Sequence, residues 1–167
     1  MNTAFFISLI ADGAIVPIVL LAGYALLFKI PKGMRLESYG RIVVVGLTSY
    51  LIAKLLASVY QPSGERPFEI LGVKPGASYL PNAGFPSDHA LFATFLTLAV
   101  WLEARQRRIA IVMALLTLLV CVGRVLALVH TPLDVIGGIS VATIGSLWYL
   151  DKTPASRQQP LAKNTKT

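Results

Sequence analysis

Apolar residues run along this chain in five stretches separated by polar connections, roughly Ala4–Phe28, Ile42–Tyr60, His89–Leu102, Ile109–Val129 and Leu133–Leu150. A helix needs about 20 apolar residues to cross the hydrocarbon core of a bilayer. The pattern therefore predicts an all-α, polytopic membrane helix bundle with about five spans. The third stretch is apolar for only fourteen residues, so its helix has to take in polar ends. Asp12 interrupts the first. Either it caps a helix running from Gly13 to Ile30, with Met1–Ala11 at the membrane interface, or it faces a polar cavity. The general preference for Asp at helix starts favours the cap. Met1–Ala11 lacks the basic leading region of a signal peptide. Residues 1–151 read as one membrane-embedded domain, and polar residues 152–167 as a disordered cytoplasmic tail.

Composition agrees with lipid as the main solvent. The chain is 55% hydrophobic and 14% charged, where a soluble domain carries roughly 25% charged residues. The single cysteine, Cys121, excludes an intrachain disulfide and lies in an apolar run, where a free thiol packs as a small hydrophobe. The net charge of +7 would suit a nucleic-acid partner if its source were a patch, but its distribution says otherwise. Lys29, Lys32, Arg35 and Arg41 fall between the first and second spans, Arg105, Arg107 and Arg108 between the third and fourth, and Lys152, Arg157, Lys163 and Lys166 after the last. All eleven lie on one side of a five-span arrangement, which the positive-inside rule makes cytoplasmic. The N-terminus is then outside and the tail inside, and no nucleic-acid partner is expected.

Lys54, Arg66, Lys74 and Arg124 remain, all toward the outer side. Lys54 and Arg124 lie within spans, on the order of 8–9 Å from their outer ends at 1.5 Å per residue. An ionised residue there marks a functional site unless it snorkels to the interface. The long outer connection Gln61–Pro86 is rich in Pro and Gly and reads as an ordered, turn-rich loop. It ends in Pro86-Ser87-Asp88-His89, where Ser87 can cap a helix whose N-terminus would favour an anion. His130 follows the fourth span. If Thr131 caps the last helix and Pro132 is its first residue, Asp134 falls in the first turn and can reach back to the His130 ring. Both histidines of the chain thus stand at outer span boundaries beside cations, a serine or a carboxylate. Phosphoryl transfer asks mainly for positioning and charge stabilisation, which these residue types supply. No cluster has metal-ligand spacing, so neither a metal nor another cofactor is expected.

These motifs resemble the type 2 phosphatidic acid phosphatase family, whose signature is K-x6-RP, PSGH and SR-x5-H-x3-D. Here they read Lys54-x11-Arg66-Pro67, Pro86-Ser87-Asp88-His89 and Gly123-Arg124-x5-His130-x3-Asp134, covering about half the chain in the family's order. The resemblance implies that His130 becomes phosphorylated, that Asp134 orients it and that His89 is the general acid. It also implies that Lys54, Arg66, Ser87 and Arg124 hold the phosphate. Lys54 stands five residues farther from Arg66 than the signature, Gly123 replaces a serine, and Asp88 replaces a glycine. The PSDH form resembles the family's undecaprenyl-diphosphate phosphatases associated with bacitracin resistance. This implies a lipid diphosphate substrate at the outer face of a bacterial cytoplasmic membrane. A phosphatidylglycerophosphate or phosphatidate phosphatase is the second reading, with Lys74 and Tyr79 as headgroup contacts; a non-catalytic lipid-binding or transport subunit is the third. Membrane members of the family usually have six spans. With five, a groove would be left for lipid or for a second copy of the chain in a homo-oligomer.

Overall fold

The computed structural model describes residues 3–62, 64–82 and 84–150, so the expected tail at 152–167 lies outside the described residues. Among the described residues the regular elements are all helical. Helix α1 spans Thr3–Phe28 and contains a π-helical turn at Leu9–Gly13. Helix α2 is Arg35–Val59, and a short α3 is Pro67–Ile70. Next come α4, Asp88–Leu102, and α5, Arg107–Leu126. Helix α6, Pro132–Gly145, runs on into a 3-10 turn at Ser146–Tyr149.

Three helices, Thr3–Phe28, Lys32–Val59 and Arg107–Leu126, are long and apolar enough to cross a membrane. Only 11%, 17% and 39% of their most apolar windows are buried inside the protein. Their outward faces, including Leu20, Phe28, Leu51, Leu55, Leu115 and Leu118, are exposed. Apolar surface on this scale is unusual for a soluble monomer and suits contact with lipid tails. The protein is a membrane helix bundle. Helix α4 is apolar but has 15 residues, about 22 Å at 1.5 Å per residue, and sits inside the bundle against α1, α5 and α6. Helix α2 packs on α6 and its terminal turn.

Lipid tails are as apolar as leucine, so helices here associate through close packing. Many of the buried residues are accordingly small, among them Ala22 and Ala25 of α1, Ala90, Ala93 and Ala99 of α4, Ala110 of α5 and Ala142 of α6. Thr97 Oγ1 of α4 lies 3.1 Å from Thr117 Oγ1 of α5, a hydrogen bond buried between the two helices. The closest glycine approach to another helix's backbone is at Gly138 of α6, where a Cβ would lie 2.5 Å from the Ser87 carbonyl oxygen and 2.9 Å from the Leu91 nitrogen. Cys121 packs with Ala90 and Val135, as a small hydrophobe does.

Two boundaries differ from the sequence reading. Arg41 lies inside α2 rather than in the connection before it. Glu103 makes this possible: Arg41 Nε and Nη2 donate to its two carboxylate oxygens at 2.8 and 3.1 Å. The second difference is larger. Asp12 does not cap a helix beginning at Gly13, because α1 starts at Thr3 and continues through Asp12 as the π turn. The charge is tolerated there because Arg124 of α5 faces it at 2.8 Å.

The Gly138 contact generates a stability prediction. Gly138→Ala should lower the midpoint of thermal unfolding in detergent, the cost being about 1–3 kcal/mol for an overpacked contact against backbone. Gly23→Ala of α1, whose added methyl would meet nothing within 4 Å, should leave the midpoint unchanged or raise it. Equal effects would contradict the packing described.

Candidate active site

The first turn of α6 is built by its cap. Thr131 is the N-cap and Pro132 follows it; Thr131 Oγ1 accepts from the Asp134 N–H at 3.2 Å. Asp134 Oδ2 accepts in return from the Thr131 N–H at 2.7 Å. The same oxygen lies 3.5 Å from His130 Nδ1, and both side chains are buried. This is ion-pair range, but too long for a good hydrogen bond, and His130 Nδ1 has no hydrogen-bond partner. A small rotation of the imidazole would close the pair.

Ser87 caps α4, its hydroxyl accepting from the Ala90 N–H at 3.5 Å, with Asp88 exposed and His89 half-buried in the first turn. The Ser87 N–H donates to the Asp134 carbonyl at 2.9 Å. That bond and the Gly138 approach fix the starts of α4 and α6 side by side, so the two histidine turns meet at one end of the bundle. His89 lies within electrostatic range of Arg124, Asp12, His130 and Asp88.

The connection between α2 and α4 folds back onto the turn between α5 and α6. The Phe68 N–H donates to the Leu128 carbonyl at 3.0 Å, and the Gly76 N–H to the Ala127 carbonyl at 2.9 Å. Arg66 completes the attachment. Its Nη1 donates to the Val129 carbonyl at 2.6 Å, and its Nη2 to the carbonyls of Leu80 and Asn82 and to Asn82 Oδ1 at 3.1–3.2 Å. Its guanidinium also stacks over the Tyr79 ring at 5.4 Å. Arg66 thus grips the backbone directly before His130. Leu128 in this turn has φ +59°, a left-handed conformation that costs a non-glycine residue of order 1–3 kcal/mol and that surrounding contacts must enforce.

Arg124 does not snorkel. It is 1% exposed, and its Nη1 donates to Asp12 Oδ1 at 2.8 Å and to the Ser78 carbonyl at 2.7 Å. Asp12 Oδ2 accepts from the Ser78 N–H at 2.9 Å. Gly123 allows this, since a Cβ there would lie 2.8 Å from the Ala11 nitrogen and 2.9 Å from its Cα. The position where the resembling family carries serine is therefore filled by the backbone of the π turn.

Lys54 stands apart from this cluster. It is exposed, with Nζ 5.2 Å from the Tyr50 ring centroid. It lines an open cavity of ≈ 290 Å³ with Ser58, Asn82, Phe85 and Asp88, a lining that includes neither histidine nor Arg124. Asn82 links the two regions: it accepts from Arg66, and its Nδ2 lies 3.4 Å from Asp88 Oδ2. Lys74 is exposed. Among the described residues no three His, Cys, Asp or Glu side chains gather in a metal-binding group.

The sequence reading assigned no partner to Arg124 and no role to Asn82. The available signal for the first was charge pairing: a lone Asp and a lone Arg in two apolar helices call for each other in lipid. Asn82 in a long loop gave no signal.

Comparison with known proteins gives the family. The family model of the PAP2 superfamily matches residues 38–157. The chain belongs to that superfamily, whose members are phosphatases acting on lipid phosphates. No curated protein and no solved structure matches.

Arg66→Lys tests the attachment of the loop. A lysine cannot serve the Val129, Leu80 and Asn82 acceptors together, so the variant should lose about 1.5–3 kcal/mol, the value of a charged hydrogen bond. Limited proteolysis within Gln61–Pro86 should become faster. Unchanged proteolysis and melting would show that the loop is held by other contacts.

Proposed function

We propose that this protein is a metal-independent lipid phosphatase that works through a phosphohistidine at His130, with a prenyl diphosphate of the undecaprenyl type as substrate. The observation that carries the reading is the buried His130–Asp134 contact on the first turn of α6, with His89 on the adjoining first turn of α4. In this mechanism His130 Nε2 attacks the terminal phosphorus while Asp134 faces Nδ1, fixing the tautomer and stabilising the imidazolium as in hydrolytic triads. The bond from phosphorus to the leaving oxygen breaks, and His89 donates a proton to that oxygen. Water then attacks phosphorus, giving a proton to His89 and releasing inorganic phosphate and free His130. Each turn leaves both histidines in their starting states.

Charge on the transferring group is the remaining requirement. Arg124 offers guanidinium N–H donors, Ser87 and its neighbours the N-terminus of α4, and Lys54 a mobile cation at the open cavity. Arg66 contributes mainly by holding the Val129 carbonyl and with it the His130 turn. In lipid the basic connections at Lys29–Arg35 and Arg105–Arg108 favour the cytoplasmic side. The site, at the opposite ends of the same helices, then opens outward, with the N-terminus outside and the C-terminus inside, at a bacterial cytoplasmic membrane. The diphosphate preference rests on the PSDH sequence. A glycerolipid phosphatase acting on phosphatidylglycerophosphate or phosphatidate uses the same machinery.

Phosphate release by purified protein from undecaprenyl diphosphate, phosphatidylglycerophosphate and phosphatidate tests both levels, with His130→Ala alongside and EDTA in a parallel series. Preference for the prenyl diphosphate, persistence in EDTA and loss of at least a thousandfold in His130→Ala are expected. Preference for a glycerolipid would replace the substrate but keep the chemistry. Substantial turnover by His130→Ala would remove the nucleophile, and magnesium-dependent recovery after EDTA would overturn the metal-free mechanism.

A further inference from the structure

Asp12 belongs to none of the motifs that define the site, and it lies before the stretch matched by the family model, residues 38–157. It is nevertheless the carboxylate that pairs with Arg124. The surroundings are built for the contact. Helix α1 opens into a π turn at Leu9–Gly13, and such turns within α-helices occur often at functional sites. Gly123 lets α5 approach the Ala11 backbone to within what would be 2.8 Å of a Cβ. Asp12 divides its two oxygens between Arg124 Nη1 and the Ser78 N–H, while the Ser78 carbonyl takes the second bond from Nη1.

The consequence lies in what is left of the guanidinium. Nη1 is occupied by two acceptors, whereas Nε is buried and has no partner among the described residues. An unpaired buried donor is costly and calls for an acceptor. The Nε and Nη2 edge of a guanidinium is the fork that matches two oxygens of a phosphate. Held by Nη1 from behind, Arg124 has that edge free of hydrogen bonds among the described residues and its rotation about the side chain restricted.

We propose that Asp12 is a positioning residue for phosphate, holding Arg124 by Nη1 so that its Nε and Nη2 edge takes two oxygens of the transferring phosphoryl group. The inference rests on the phosphatase reading for its catalytic consequence, but its binding consequence stands on Arg124 and inorganic phosphate alone. Asparagine cannot replace Asp12, because one of its two terminal atoms is a donor and would face either Arg124 Nη1 or the Ser78 N–H. Glutamate keeps the charge and both acceptors on a stem one methylene longer.

The test uses the full chain in detergent as wild type, Asp12→Asn, Asp12→Glu, Arg124→Lys and the double variant Asp12→Asn with Arg124→Lys. Dissociation constants for inorganic phosphate are measured by calorimetry, and kcat and KM for the best substrate of the panel. Asp12→Asn should weaken phosphate binding and lower kcat/KM by about tenfold or more, with Asp12→Glu recovering part of the loss and melting like the wild type. In the Arg124→Lys background, where no such fork exists, Asp12→Asn should change either quantity less than twofold. An equal loss in both backgrounds would show that Asp12 acts through something other than Arg124, and unaltered phosphate binding in Asp12→Asn would overturn the proposal outright. A wild type that binds phosphate but releases none from any lipid would sink the phosphatase reading, while the binding series still decides the role of Asp12.

Discussion

Two helix starts held side by side organise this molecule. The Ser87 N–H bonds to the Asp134 carbonyl, and Gly138 allows α6 to lie against the backbone of α4. Each start carries its own cap, Ser87 for α4 and Thr131 for α6, and each carries a histidine within or beside its first turn. Because caps satisfy backbone donors locally, these two turns keep their form without help from more distant partners. The connection between α2 and α4 is secured to the turn before His130 by Arg66 and by two backbone hydrogen bonds.

The arrangement divides the cations by task. Arg66 spends its Nη donors on carbonyls around the site and so acts on the shape of the His130 turn. Among the described residues, Arg124 keeps an unpartnered Nε in a buried position. Lys54 is exposed and lines an open cavity with Asp88. The division also explains Gly123: a side chain there would exclude the π turn that brings Asp12 to Arg124.

Much of this was legible in the sequence, for identifiable reasons. Long apolar stretches admit few structures in lipid, because backbone polar groups there must be paired internally, so the helical bundle follows from hydropathy. The caps at Ser87 and Thr131 follow from local residue chemistry, and with them the placement of His89, His130 and Asp134. What failed was Asp12. A helix-start preference is a local rule, and it was overridden by a partner 112 residues away in the chain. Local patterns also gave no sign that Arg66 would be consumed by Val129, Leu80 and Asn82, since loop folding decides that. The family resemblance gave the residues and their order, but not that Arg66 would be engaged by backbone carbonyls while Arg124 is paired with Asp12.

The central claim is that His130 carries the phosphoryl group, and the most direct measurement is to look for it there. Protein mixed with substrate labelled in the terminal phosphate and quenched in base within the first turnover should carry label on His130, stable to base and lost in acid. Peptide mass spectrometry would locate it. His130→Ala should remain unlabelled, and His89→Ala should accumulate more label than the wild type if dephosphorylation is slowed more than attack. Label on another residue, or full turnover with no labelled protein at any time, would contradict the account.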